Sequence, residues 1–156
     1  MPYWQLYYHL VWSTKGREPL LSTRAQPIVY GFLRSKAIGL GATLFALGGI
    51  EDHVHMVVSI PPSVAVARFV GQVKGIAATL FNKSGNAAVL HWQEEYGAFS
   101  FDGKRLPDIV AYVEHQVEHH SQNSLILVLE RTSDRGAAMV REESTIYLAP
   151  PEGYAT

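Results

Sequence analysis

Two consecutive prolines, Pro61 and Pro62, close the run from His53 to Ile60, and only Glu51 and Asp52 separate that run from Thr43–Ile50. Proline lacks the N–H that a sheet ladder needs, so the second run stops there. Two β-rich runs joined by so short a connection predict a hairpin-like pair of strands. Segments of helical period flank the pair. Before it, Ile28, Val29, Phe32, Leu33 and Ala37 recur at helical spacing within Leu21–Ile38. Pro27 is tolerated only in a first turn, so the regular helix starts near Ala25 or Gln26, and Gly39 and Gly41 end it. After the pair, Ser63 is a candidate N-cap. Val66, Phe69, Val70, Val73, Ile76, Ala77 and Leu80 then trace one apolar face as far as Ser84 and Gly85.

The ends of this arrangement are also readable. Tyr3–Thr14 is rich in aromatic and β-branched residues and reads as a strand, followed by the basic loop Lys15–Pro19. Tyr96–Phe101 reads as a short strand. Pro107 suits a helix first turn, and Ile109, Val110, Val113 and Val117 carry that helix to about Asn123. The order β-α-β-β-α-β plus a final helix predicts an α+β fold, the ferredoxin-like split β-α-β. Its antiparallel sheet has helices on one face, a C-terminal helix is added, and the first and third strands are central. Residues 1–123 form the expected domain, and 124–156 a tail or arm.

Composition narrows the chemistry. There is no cysteine among the 156 residues, which removes disulfides, thiolate metal sites and a cysteine nucleophile. No apolar run is long enough for a bilayer and no signal-like segment opens the chain, so a soluble cytoplasmic protein is expected. The net charge of −1 is low for a nucleic-acid binder, but the charge is uneven. Beyond Ser121, three arginines face five acidic residues, leaving +1 on the rest. That balance permits nucleic-acid binding without arguing for it.

His53-Val54-His55 puts two imidazoles on the same face of the predicted strand, because side chains alternate. They offer two corners of a divalent metal site, or else two structural histidines. On the last helix Tyr112 and Gln116 lie one turn apart, and His119 and His120 extend roughly the same face. Each residue alone reads as ordinary packing or solvated surface. Together they make a polar stripe holding a possible nucleophile and a possible third ligand.

Four blocks in register resemble the single-tyrosine HUH transposases of the IS200/IS605 class, where U is a bulky apolar residue. They are Tyr8–Lys15, Gly48–Pro62, Trp92-Gln93 followed by Tyr96–Ser100, and Tyr112–Gln116 followed by His119-His120, within a match from about Tyr3 to Gln122. The resemblance implies Tyr112 as nucleophile and His53, His55 and Gln116 as ligands of Mg²⁺ or Mn²⁺, with His120 an alternative ligand. It implies cleavage and strand transfer of single-stranded DNA hairpins at element ends through a 5′-phosphotyrosine, by a homodimer sharing its sites in trans. Lys15, Arg17 and Lys74 are candidate phosphate contacts, with Lys74 matching a family position in the second helix. Two rival readings are a metal-dependent nuclease without a covalent intermediate and a domesticated, non-catalytic binder of structured single strands. Relaxases place the tyrosine before the histidine pair, whereas here it lies 57 positions after His55.

Overall fold

The computed structural model describes residues 2–85, 88–122 and 130–132. Strand β1 spans Tyr7–Ser13, helix α1 Ala25–Gly39, β2 Thr43–Ile50 and β3 His53–Ser59. Helix α2 follows over Val66–Lys83, then β4 over Gly97–Phe101, α3 over Leu106–Glu114 and α4 over Gln116–Ser121. The four strands form one antiparallel sheet in the order β2-β3-β1-β4, so β1 and β3 are central as expected.

Alternation sorts the central strands onto two faces. Leu10, Trp12, Val54, Met56 and Val58 meet Val29, Leu33 and Ala37 of α1 and Phe69, Val70, Val73 and Ala77 of α2. Each large apolar side chain fully buried there contributes about 1.5–3 kcal/mol. On the opposite face, Val57, Ala46, Phe99 and Phe101 receive Ile109, Tyr112 and Val113 of α3. Because both faces are covered, β3 is buried over six consecutive residues and shows no polar-out alternation. His53 and His55 therefore point into the layer beneath α3.

Gly48 makes that layer thin. A Cβ on Gly48 would overlap the carbonyl oxygen of Val113, so only glycine lets α3 approach β2 so closely.

Three boundaries differ from expectation. The first strand begins at Tyr7 rather than Tyr3, and Tyr3 is largely exposed. Ser63 does not cap α2: Val64 N–H donates to Pro61 O in a turn, and the helix starts at Val66 with no side-chain cap. The last helix is broken at His115 (φ −108°, ψ 31°) into α3 and α4. There the His115 Nδ1 lies 2.7 Å from Ala111 O, a side-chain contact to a carbonyl of the preceding turn. Of the expected tail, Glu130–Thr132 lie against the sheet. The rest of 124–156 is outside the described residues.

Candidate metal and nucleophile site

The histidines come to the site already oriented. His53 Nδ1–H donates to Asp52 Oδ1 at 2.6 Å, which leaves Nε2 of the neutral ring with a lone pair. His55 Nδ1 lies 2.7 Å from His9 Nε2 on the neighbouring strand. Such outer partners set ring orientation in metal-ligating histidines and raise their basicity. Both Nε2 atoms face the layer beneath α3 and α4.

Three side chains from outside the sheet converge on them. Gln116 Nε2 donates to the Tyr112 carbonyl at 3.2 Å, which aims Oε1 at His53 Nε2, 3.5 Å away. His120 Nε2 is 3.1 Å from His53 Nε2. Glu130 Oε2 lies 3.1 Å from His55 Nε2 and 3.3 Å from His53 Nε2. Its other oxygen, Oε1, accepts the Tyr112 hydroxyl at 2.5 Å. Tyr112 also packs against His119, ring centroids 4.7 Å apart, and edge-on against His55.

Lone pairs meet at the centre of this cluster. With Asp52 holding the Nδ1 proton of a neutral ring, His53 Nε2, Gln116 Oε1 and Glu130 Oε2 are all acceptors. Either a second proton on His53 or a cation among them makes the contacts attractive. The proton affinities follow. Burial opposes a charge on His53, but the hydrogen bonds with Glu130 and Asp52 outweigh it and raise its pKa above 6.5. Burial likewise opposes ionisation of Glu130, and the bonds from His53 and His55 overcome it, holding the carboxyl far below its usual range. Burial lowers the pKa of His55 and, joined by the nearby His55, that of His9. Neutral imidazole is the form that ligates metal. Ligand atoms of His53, His120 and Glu130 lie within 4.8 Å of one another. The donor set thus fits a divalent cation, which His53, His55, Gln116, His120 and Glu130 could hold.

The family described as "Transposase IS200 like" matches residues 2–116, most of the chain. The chain belongs to the IS200-like transposases. The transposase of insertion sequence IS200 from Salmonella typhimurium is 26% identical over 120 residues, 74% of this chain and 79% of the relative. The ISDra2 transposase TnpA of Deinococcus radiodurans is 33% identical over 75 residues, 48% of this chain and 54% of its own. Among solved structures, a candidate transposase of Deinococcus radiodurans superposes with a TM-score of 0.59 at 25% identity, covering 74% of this chain and 95% of that one. A REP-associated tyrosine transposase solved with a REP hairpin shares the fold, with a TM-score of 0.56 at 12% identity over 100% of this chain and 92% of the other. This IS200-like transposase has, among its described residues, no helix long and apolar enough to cross a membrane.

The expected residues fall into two groups. His53, His55, Tyr112, Gln116 and His120 come together. Lys15 and Arg17 lie on the exposed turn after β1, near the His53 end of the sheet, where Arg17 is 3.9 Å from Asp52. Lys74 requires correction as a phosphate contact. It is buried, and its ammonium donates to the carbonyls of Gln93 (2.6 Å), Glu94 and Glu95 (both 3.3 Å), locking the segment before β4. Burial, partly offset by Glu94, lowers its pKa to about 8. Trp12 is likewise core, with Trp92 packed edge-on against it. Sequence reasoning missed His9 and Glu130. His9 could have been found, since it shares the Tyr7 and Val11 face of the strand paired with β3. Glu130 carries one weak signal, an acid ending the aliphatic run Leu125–Leu129.

Proposed function

We propose that this IS200-like transposase cleaves and rejoins single-stranded DNA at hairpin-bearing element ends, with Tyr112 as nucleophile and His53, His55 and Gln116 holding Mg²⁺ or Mn²⁺. The observation that carries the reading is the convergence, within one chain, of the Tyr112 hydroxyl and the Nε2 atoms of both histidines on the carboxylate of Glu130. When bound, the cation supplies positive charge that polarises a phosphodiester oxygen. Tyr112 supplies the oxygen that attacks phosphorus. The P–O3′ bond breaks, the chain keeps a 5′-phosphotyrosine, and the phenolic proton is balanced by the one gained by the released 3′-oxygen. The phosphotyrosine conserves the energy of the cut linkage, so a second 3′-hydroxyl can reverse the step without ATP. A free phenol ionises near pH 10, so it is a poor nucleophile at neutral pH unless a neighbouring cation or base favours the phenolate. The hairpin as substrate is supported by the fold shared with the REP-hairpin complex.

Since one chain contains every part of the site, a copy can be complete in cis; sharing in trans within a homodimer then requires α3 and α4 to exchange between copies. The reading is tested by incubating the full chain with labelled hairpin DNA from the flanks of its own element and Mn²⁺. A covalent protein–DNA adduct on a denaturing gel is expected. Its absence, or its persistence in Tyr112→Phe, refutes the nucleophile.

A further inference from the structure

Glu130 lies beyond the residues matched by the family, and the backbone of its neighbour Arg131 packs against β4 at Gly97. A Cβ on Gly97 would overlap the carbonyl oxygen of Arg131, so the missing side chain is what seats this segment against β4. Gly97 pairs with Val11, and Val11 pairs with His55, so the seat lies two strands from the metal-facing histidine. From there the Glu130 side chain spans to both histidines and to Tyr112.

The spacing is compatible with a coordination shell as well as with hydrogen bonds. Ligands about 2.1 Å from an octahedral cation stand roughly 3.0 Å apart along each edge. The separations from Glu130 Oε2 to His55 and His53 are 3.1 and 3.3 Å, and that from His53 to His120 is 3.1 Å. His53 to Gln116 is 3.5 Å and His120 to Glu130 is 3.9 Å, between an edge and the roughly 4.2 Å of an opposite pair. A carboxylate also matches the oxygen preference of Mg²⁺ and Mn²⁺ better than imidazole does. Its second oxygen is not free: it accepts the Tyr112 hydroxyl.

Resting on the function proposed above, we propose that Glu130 bridges the two halves of the site, its Oε2 joining the histidines as a metal ligand while its Oε1 holds the Tyr112 phenol beside the metal. Glu130 thereby places the nucleophile relative to the cation within its own chain. It couples the tail segment to catalysis, and Gly97 is the point at which that segment is registered.

Mn²⁺ binding to the full-length, DNA-free chain tests this, read by the loss of the free-ion electron paramagnetic resonance signal. Glu130→Gln keeps the shape and removes the charge, and is expected to weaken Mn²⁺ affinity by about tenfold or more. Arg34→Ala, exposed on α1 across the sheet from the site, should leave it unchanged. Gly97→Ala, which unseats Arg131 without touching any ligand, should reproduce the loss, with circular dichroism confirming that both variants fold. At saturating Mn²⁺, Glu130→Gln should still form the tyrosine adduct, more slowly. Parent-like Mn²⁺ affinity in Glu130→Gln, with His53→Ala abolishing binding, overturns the bridge and leaves the proposed function standing. Faster adduct formation in Glu130→Gln also overturns it, since Glu130 would then block the site. A parent chain that binds no Mn²⁺ overturns both.

Discussion

His9 Nε2 lies 2.7 Å from His55 Nδ1, and the two rings stack with centroids 4.9 Å apart and planes 10° from parallel. If His55 uses Nε2 for the metal, its Nδ1–H donates to His9, whose own proton then sits on Nδ1. Among the described residues that atom is buried without a hydrogen-bond partner, a desolvation cost accepted for holding the His55 tautomer. His9→Phe keeps the ring and removes the acceptor. It should weaken Mn²⁺ affinity by about 10- to 100-fold, the range typical of lost outer partners. Calorimetric titration of the metal checks this, with the circular dichroism spectrum unchanged.

Tyr112→Phe should abolish the covalent adduct. It also removes a hydrogen bond to a carboxylate, which contributes roughly 1.5 kcal/mol or more when the acceptor is charged. Urea unfolding should therefore show a modest loss of stability in the absence of metal.

Gly48→Ala places a methyl group where the Val113 carbonyl now sits. Relief requires α3 to lift off β2, and such overpacking costs about 1–3 kcal/mol. Adduct formation should fall with it, because Tyr112 precedes Val113 on the lifted helix. A far-ultraviolet spectrum that keeps the signals of α1 and α2 would separate this from general unfolding.

Lys74 sets a pH dependence. Burial lowers its pKa from 10.5 to about 8 in the folded chain. Between those values the unfolded chain binds a proton that the folded chain does not, so stability rises with pH across the window. Tyr30, raised to about 12 by burial, acts in the opposite sense above its ordinary value of 10. Urea midpoints measured from about pH 8 to 9.5 should climb in the parent and stay flatter in Lys74→Met. An equal slope in both would assign the effect elsewhere.

The layers, the strand order and the central place of the histidine strand were legible because each rests on local periodicity. Val54, Met56 and Val58 against His53 and His55 show it, as do Phe69, Val73 and Ala77 on one helix face. Distant contacts were not legible. Lys74 reads as a surface cation until the carbonyls of Gln93–Glu95 are seen around it. The break at His115 has no glycine or proline to announce it. Glu130 meets His55 across 75 positions, with no repeat or spacing linking the two.

Gly97 extends the consequences to the genome. In a copy of this gene, the visible losses would be substitutions at His53, His55 or Tyr112. A copy can keep all of these and still carry a side chain at position 97 that displaces the Arg131 carbonyl. On the Glu130 bridge proposed above, one methyl group at position 97 would retire a copy whose His53, His55 and Tyr112 are all intact.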